Sequence, residues 1–194
     1  MAKILGNFHL ALLIGVAFLI ALMMGAHGGA MDGAYWGEFL RYLHVLAGIL
    51  WIGLLYYFNF VQIPTMPSVP AELKPGVTKY IAPKALFWFR WSALVTVILG
   101  LLTAEMKRPG YVADALMLAP GFLAIGIGMW LGLIMAANVW FVIWPNQKKA
   151  LGIVPAEDAA KARAASVAMM ASRTNLILSI PMLYGMISGG HIPG

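Results

Sequence analysis

The chain has 194 residues, of which 62% are hydrophobic and only 10% are charged, whereas an average soluble domain has about 25% charged residues. This surplus of apolar side chains excludes a soluble globular domain and indicates that lipid surrounds most of the surface. The net charge of +6 comes from basic residues scattered between apolar runs, which excludes a nucleic-acid-binding face. The lack of cysteine excludes disulfides, thiolate metal sites, iron–sulfur clusters and covalent c-type haem.

Five long apolar segments follow one another along the chain, each near the ~20 residues that a membrane-spanning helix needs. Their runs are continuous rather than alternating, which indicates helices instead of barrel strands. The predicted fold is an all-α integral membrane protein, with residues 1–194 forming a single transmembrane domain. The predicted helices cover about residues 5–25, 39–63, 85–104, 116–144 and 166–188. We interpret the first as a retained signal-anchor helix, and the fourth either tilts or begins as an interfacial turn before Pro120.

The basic residues predict the orientation. With the N-terminus in the cytoplasm, eight basic residues fall in or beside cytoplasmic segments and three fall outside, as the positive-inside rule requires. The C-terminus then lies on the opposite side of the membrane. Arg90 and Arg173 enter the third and fifth predicted helices from the cytoplasmic side, where a long side chain reaches the interface.

Two further patterns concern packing. Five prolines between Pro64 and Pro83 predict a semi-rigid connection rather than a continuous helix. Small residues recur every four positions along the predicted fourth helix, which lets another helix approach closely. The partner of this small-residue ridge is either internal or a neighbouring chain. The ridge consists of Ala124, Gly128, Gly132 and Ala136.

Histidines are the candidate functional residues, because an ionisable group within a membrane helix is costly and indicates a site. His44 lies within the second predicted helix, roughly 9 Å from its external end at 1.5 Å per residue. His191 follows the fifth helix at about the same depth. Two imidazoles at one depth are what a six-coordinate b-type haem requires, although a single helical histidine can instead bond a neighbouring hydroxyl or carbonyl. His9 and His27 are interpreted as interfacial.

Carboxylates are scarce within the predicted membrane segments, so the sequence offers no buried acidic pair for proton transfer. Glu38, Glu105 and Asp114 all lie at external helix ends or in an external loop. A hydrolase triad, a phosphate-binding glycine loop and a metalloprotease motif are also missing. With no charge near the bilayer midplane, a transporter is the least favoured class.

Four runs resemble, in the same order, the membrane domain of bacterial membrane-bound urate hydroxylases. The third is the most specific, whereas the first is also similar to copper-resistance D-type membrane proteins. The runs are RYLHVLAGILWIGLLYYF (41–58), FWFRWSALVTVILGLL (87–102), LGLIMAANVWFVIWPNQKK (131–149) and SRTNLILSIPMLYGMISGGHIP (172–193). The resemblance implies a shortened form of an eight-helix domain, without its cytochrome c domain, in the bacterial inner membrane.

Within the matching runs, this sequence departs from the family at the positions that carry its chemistry. Phe87, Gly126 and Thr174 stand where the family has histidines, and Ser92 replaces a glutamate. Only His44 and His191 match the family's histidines. The resemblance therefore implies the family's fold more than its reaction, because no nearby residue restores the missing ligands and proton carriers.

Three functional hypotheses follow. The leading one is a redox-associated protein with haem b bound by His44 and His191 near the external face. The alternative is a non-catalytic accessory subunit of a larger membrane complex, or a bundle that associates with itself through the small-residue ridge. Urate oxidation itself is the third and is less favoured than these two. The lipid bilayer is a partner in all three.

Overall fold

The computed structural model describes residues 2–29 and 31–189, and these residues form helices joined by turns and short connections. It divides into two compact units, Met1–Phe39 and Leu40–Gly194, which are taken separately below. The α-helices are α1 Ala2–Leu5, α2 Phe8–His27, α3 Gly33–Tyr56, α4 Ile63–Thr65, α5 Lys74–Gly76, α6 Ala82–Lys107, α7 Tyr111–Leu116, α8 Leu123–Asn138, α9 Trp144–Ala150 and α10 Asp158–Ser188.

The first unit contains α2, which covers most of the first predicted segment. Asn7 is the N-cap of this helix. Its Oδ1 accepts hydrogen bonds from the backbone N–H groups of His9 at 3.0 Å and Leu10 at 3.2 Å. Asp32 starts α3 in the same way, accepting from the N–H of Tyr35 at 3.0 Å. The mean hydropathy of α2 reaches 2.4, which suits a helix surrounded by lipid.

Three π-helices interrupt the α-helical chain, and each precedes a proline. Their bounds are Tyr57–Gln62, Val77–Ile81 and Val139–Ile143. Each contains the residue four positions before a proline, namely Pro64, Pro83 or Pro145. Proline cannot donate to the carbonyl at i−4, and its ring clashes with that group, so a wider turn accommodates it.

The connection between α3 and α6 is more helical than the prolines predicted. Met66–Ser68 forms a 3-10 turn, and only residues 69–73 lie outside helical structure between Gly33 and Lys107. Pro64, Pro67 and Pro75 each occupy one of the first two positions of a short helical segment. For Pro75, which follows the non-helical residues 69–73, the missing N–H had no helical partner to lose. Pro64 and Pro67 lie inside the continuous stretch Gly33–Ser68, where the wider and tighter turns around them keep the chain helical.

The fourth predicted segment is not one helix. The α7 helix ends at Leu116, a turn follows, and α8 begins only at Leu123. Leu118 and Gly121 have φ values of 54° and 83°, in the left-handed region, so the chain reverses here. The Trp130 indole donates to the carbonyl of Leu116 at 2.9 Å and holds α7 against α8.

Within the second unit, neighbouring helices run antiparallel. Along α3 and α6, His44 contacts Thr96, while Phe58 contacts Phe89 at a ring distance of 5.5 Å. In α10, Ser179 bonds Tyr56 and Ser172 bonds Asn59, so α10 is antiparallel to α3. The core lies between these helices and α8. Its largest buried members are Trp51, Leu55, Phe89, Met135, Val139 and Ile143.

The small-residue ridge on α8 packs against α10, which confirms the expected close approach and makes the partner internal. A Cβ added at Gly185 of α10 would lie 2.6 Å from the carbonyl oxygen of Ala124 and 3.0 Å from the Cα of Gly128. A Cβ at Gly128 would meet the backbone nitrogen of Met186 at 3.0 Å. The two backbones therefore touch, as in membrane helix pairs built on small residues.

Four of the described helical stretches are long and apolar enough to cross a membrane, so the chain is a multi-pass membrane protein by length and composition. They are Phe8–His27, Gly33–Ser68, Lys74–Lys107 and Leu123–Ala150. The fifth predicted helix exists as α10, but it carries Arg173, Thr174 and Asn175 and is less apolar. Of these, Asn175 is fully buried against α8, so its polarity serves packing rather than lipid contact.

Candidate functional site

The side chain of His44 is half-buried on α3 and points at the backbone of α6. Its Nδ1 lies 2.8 Å from the carbonyl oxygen of Thr96. A carbonyl only accepts hydrogen bonds, so the geometry assigns the proton to Nδ1. The other ring nitrogen, Nε2, then keeps its lone pair, and among the described residues no hydrogen bond uses it. The bond to a carbonyl that we considered for a helical histidine is therefore present, and it uses Nδ1 rather than Nε2.

Gly100 makes this contact possible. A Cβ at position 100 would lie 2.8 Å from Cε1 of His44 and 3.0 Å from Nδ1. Any larger residue would push the ring away from the Thr96 carbonyl, which lies one helical turn earlier. Sequence analysis did not identify Thr96 or Gly100 as parts of the site. The available signal was an isolated glycine within an apolar helix, which often marks a close approach.

The second candidate ligand, His191, lies outside the described residues, as do residues 190–194. The other two histidines belong to the first unit and are exposed, like the other described residues around them in α2, so their interfacial position stays a prediction. The His9 ring lies 5.4 Å from that of Phe8, and the His27 ring lies 5.5 Å from that of Tyr35. The described part of the chain has no group of three or more His, Asp or Glu side chains that could hold a metal ion.

A buried polar network joins α10 to the neighbouring helical segments. It lies between the level of His44 and the predicted cytoplasmic ends of the helices. Asn138 donates to Oδ1 of Asn175 at 2.7 Å, and Asn175 donates to the carbonyl of Met135 at 3.0 Å. Asn59 donates to Ser172 Oγ at 2.9 Å, but its own Oδ1 is buried without a partner in the described residues. Such bonds fix helix register in a membrane, so this network is a structural one.

The comparisons with known proteins identify one family. Residues 111–193 match the family model described as Urate oxidase N-terminal. The match covers less than half of the chain and includes α7, α8, α10 and His191, so the chain is similar to this family over its C-terminal part. His44 lies outside the matched residues. No curated protein and no solved structure matches the chain.

The structure shows what surrounds the positions where the resemblance to urate hydroxylases implies a histidine or a glutamate. A Cβ at Gly126 would overlap the carbonyl oxygen of Ala115 and lie 2.6 Å from Cδ2 of Leu118, so α7 and the turn after it fill the space beside Gly126. The Ser92 hydroxyl is used within α6, donating to the carbonyl of Trp88 at 2.6 Å. At Gly126 and Ser92, the contacts therefore stabilise the packing of the helices.

The two other departures lie at the surface. Phe87 is exposed and its ring lies 5.5 Å from that of Trp88. Thr174 is exposed in an open groove between α8 and α10, and its hydroxyl donates to the carbonyl of Met170 at 3.1 Å. Neither side chain can ligate a metal or carry a proton as histidine does.

Proposed function

We propose that the chain is a membrane-embedded redox-associated protein, related to urate hydroxylase membrane domains, that binds one haem b through His44 and His191. The observation that carries this proposal is the fixed tautomer of His44. Histidines that ligate metals usually donate their other N–H to a carbonyl or carboxylate, as His44 does to Thr96. When bound, a b-type haem supplies one-electron transfer. The role of His44 is to present the Nε2 lone pair at a fixed angle.

The helix register supports His191 as the second ligand. Tyr56 and Ser179 are in contact, with 3.3 Å between their hydroxyl oxygens. Tyr56 follows His44 by twelve residues, and Ser179 precedes His191 by the same number. Because α3 and α10 run antiparallel, equal steps along the two helices cover equal depth. The proposal extends this register to the C-terminus.

The same register supports five membrane crossings. The α10 helix runs antiparallel to both α3 and α8, and it is 31 residues long, more than the ~20 that a bilayer needs. We therefore propose that α10 is the fifth crossing, with the N-terminus in the cytoplasm and His44 near the external face. The predicted location is the bacterial inner membrane, as the resemblance to urate hydroxylases implies.

Urate oxidation is not part of the proposal, because Phe87, Gly126 and Thr174 stand at the positions where the resemblance implies histidines. The alternative function, an accessory subunit of a larger membrane complex, stays a prediction. The small-residue ridge no longer argues for it, since α10 covers that ridge. A partner would have to use another surface of the bundle.

The test is the absorption spectrum of the purified chain, oxidised and reduced, compared with a variant that disturbs only the His44 contact. We expect a Soret band and a sharp reduced band in the wild type. In Gly100→Ala, the new Cβ displaces the imidazole from the Thr96 carbonyl, and we expect haem affinity to fall about tenfold or more, as for lost outer-shell partners.

Gly53→Ala is the matched control, because position 53 lies on the same helix as His44 and an added Cβ there meets nothing within 4 Å. It should bind haem like the wild type. A wild-type protein without a Soret band contradicts haem binding. Equal haem affinity in the wild type and Gly100→Ala contradicts the role given to the Thr96 contact.

A further inference from the structure

The guanidinium of Arg90 on α6 stacks on one aromatic ring and lies near a second. Its guanidinium carbon lies 3.9 Å from the ring centroid of Trp144 and 5.4 Å from that of Phe87. The backbone carbonyl of Arg90 accepts a hydrogen bond from the Trp140 indole at 3.1 Å. The contact with Trp144 therefore positions the guanidinium, in contrast to an arginine that only extends toward the interface.

Stacking uses the flat faces of a guanidinium and leaves its five N–H donors at the edge. Within the described residues, the Arg90 side chain has neither a hydrogen-bond acceptor nor a carboxylate partner. The residue is half-buried in a helix long and apolar enough to cross a membrane. A charged group with free donors in such surroundings is unfavourable unless an anion satisfies it.

A second cation faces the same tryptophan. The Lys148 ammonium lies 5.7 Å from the ring centroid of Trp144, and it also has no carboxylate partner in the described part of the chain. Asp158 is engaged by Lys161 at 3.0 Å. Two positively charged side chains thus lie beside the same ring, near the predicted cytoplasmic ends of α6 and α9.

Two more tryptophans pack together close to Arg90, since one follows it in the sequence and the other donates to its carbonyl. The rings of Trp91 and Trp140 pack edge to face at 5.4 Å, and Phe87 lies 6.3 Å from Trp91. Aromatic rings of this kind sit at the level of lipid headgroups. An anion that binds Arg90 would therefore lie at the membrane depth of the lipid phosphates.

We propose that Arg90 and Lys148, which both lie beside the Trp144 ring, bind the headgroup of an anionic phospholipid. Arg90 supplies paired N–H donors to two phosphate oxygens, and Lys148 supplies a single ammonium. Basic pockets between membrane helices on the cytoplasmic side recognise such headgroups. The site is separate from the proposed haem ligands and does not depend on them.

The test uses the delipidated full chain in detergent and native mass spectrometry with phosphatidylglycerol, phosphatidylcholine or inorganic phosphate. We expect selective retention of phosphatidylglycerol. Arg90→Gln and Lys148→Gln should each weaken this binding about fivefold, since a basic residue near an anionic lipid contributes about 1 kcal/mol. The controls are Arg173→Gln and Lys149→Gln, which remove charges of the same sign from exposed positions that lack a described aromatic partner.

Retained phosphatidylglycerol binding in the controls, with loss in the two site variants, supports the proposal. Equal loss in all four variants would show general attraction to positive charge and overturn it. Equal binding of phosphatidylcholine or of inorganic phosphate also overturns it. If Arg90→Gln does not fold, as judged by circular dichroism, Lys148→Gln alone decides, because its side chain is not part of the core.

Discussion

Replacing His44 with alanine should remove haem from the purified protein and leave the helical bundle folded. In the proposed site the imidazole is an iron ligand, so its removal takes away more than an outer-shell contact. We expect affinity to fall by more than about a hundredfold, the upper end of losses seen for outer-shell partners. Absorption at the Soret band, normalised to protein, measures the effect.

Folding should survive because His44 is only half-buried, and its removal relieves rather than adds crowding beside Gly100. Circular dichroism and the elution profile of the variant should match the wild type. His9→Ala and His27→Ala are the controls, since both histidines are exposed in the first unit. A His44→Ala protein with undiminished Soret absorption would assign the ligand elsewhere.

Gly126→Ala should prevent correct folding, although it adds only one methyl group. The new Cβ would overlap the backbone oxygen of Ala115, which cannot move aside as a flexible side chain can. Overpacking usually costs about 1–3 kcal/mol, and a backbone clash of this severity belongs at or above the top of that range. Thermal unfolding in detergent, or the yield of monodisperse protein, measures the loss.

Gly132→Ala is the matched control on the same helix. Its added Cβ would lie 3.8 Å from Cε of Met186 and 4.0 Å from Cγ of Met182, which is ordinary packing distance. It should change stability by less than about 1 kcal/mol, like other well-tolerated core substitutions. Equal stability of Gly126→Ala and the wild type would show that α7 and the turn after it do not fill the space beside Gly126.

The helices could be predicted from the sequence because the apolar runs are long and continuous, and each predicted segment contains a described helix. Their ends were harder to predict. The fourth segment looked continuous in hydropathy, but the left-handed residues Leu118 and Gly121 break it. In the connection from residue 64 to residue 83, the structure contains more helix than the sequence predicted. Prolines there occupy the first positions of short helical segments, which they do not interrupt.

His44 could be identified from the sequence, since an ionisable side chain within an apolar helix is unusual. The hydrogen-bond partner of His44 could not be identified from the sequence. The Thr96 carbonyl is a backbone group, which any residue carries, and only the packing of α3 on α6 selects it. The same limit applies to Arg90. Its position near the predicted interface followed from the sequence, but its stacking on Trp144 depends on how α6 meets the end of α8 and α9.

The small-residue ridge shows how far a periodic pattern can be interpreted. Spacing of four predicted that a helix would approach α8 closely, and Gly185 confirms this. The pattern could not say which helix, because any helix with small residues fits such a surface. Contacts far apart in sequence, such as Asn138 with Asn175, supply that information.

Electron paramagnetic resonance of the oxidised wild-type protein tests the central claim most directly, because it reports the iron ligands themselves. Two imidazoles predict a low-spin ferric signal, which should change to high spin in His191→Ala and disappear in His44→Ala. A wild-type sample with no ferric haem signal, or with a low-spin signal that both variants retain, would contradict the account.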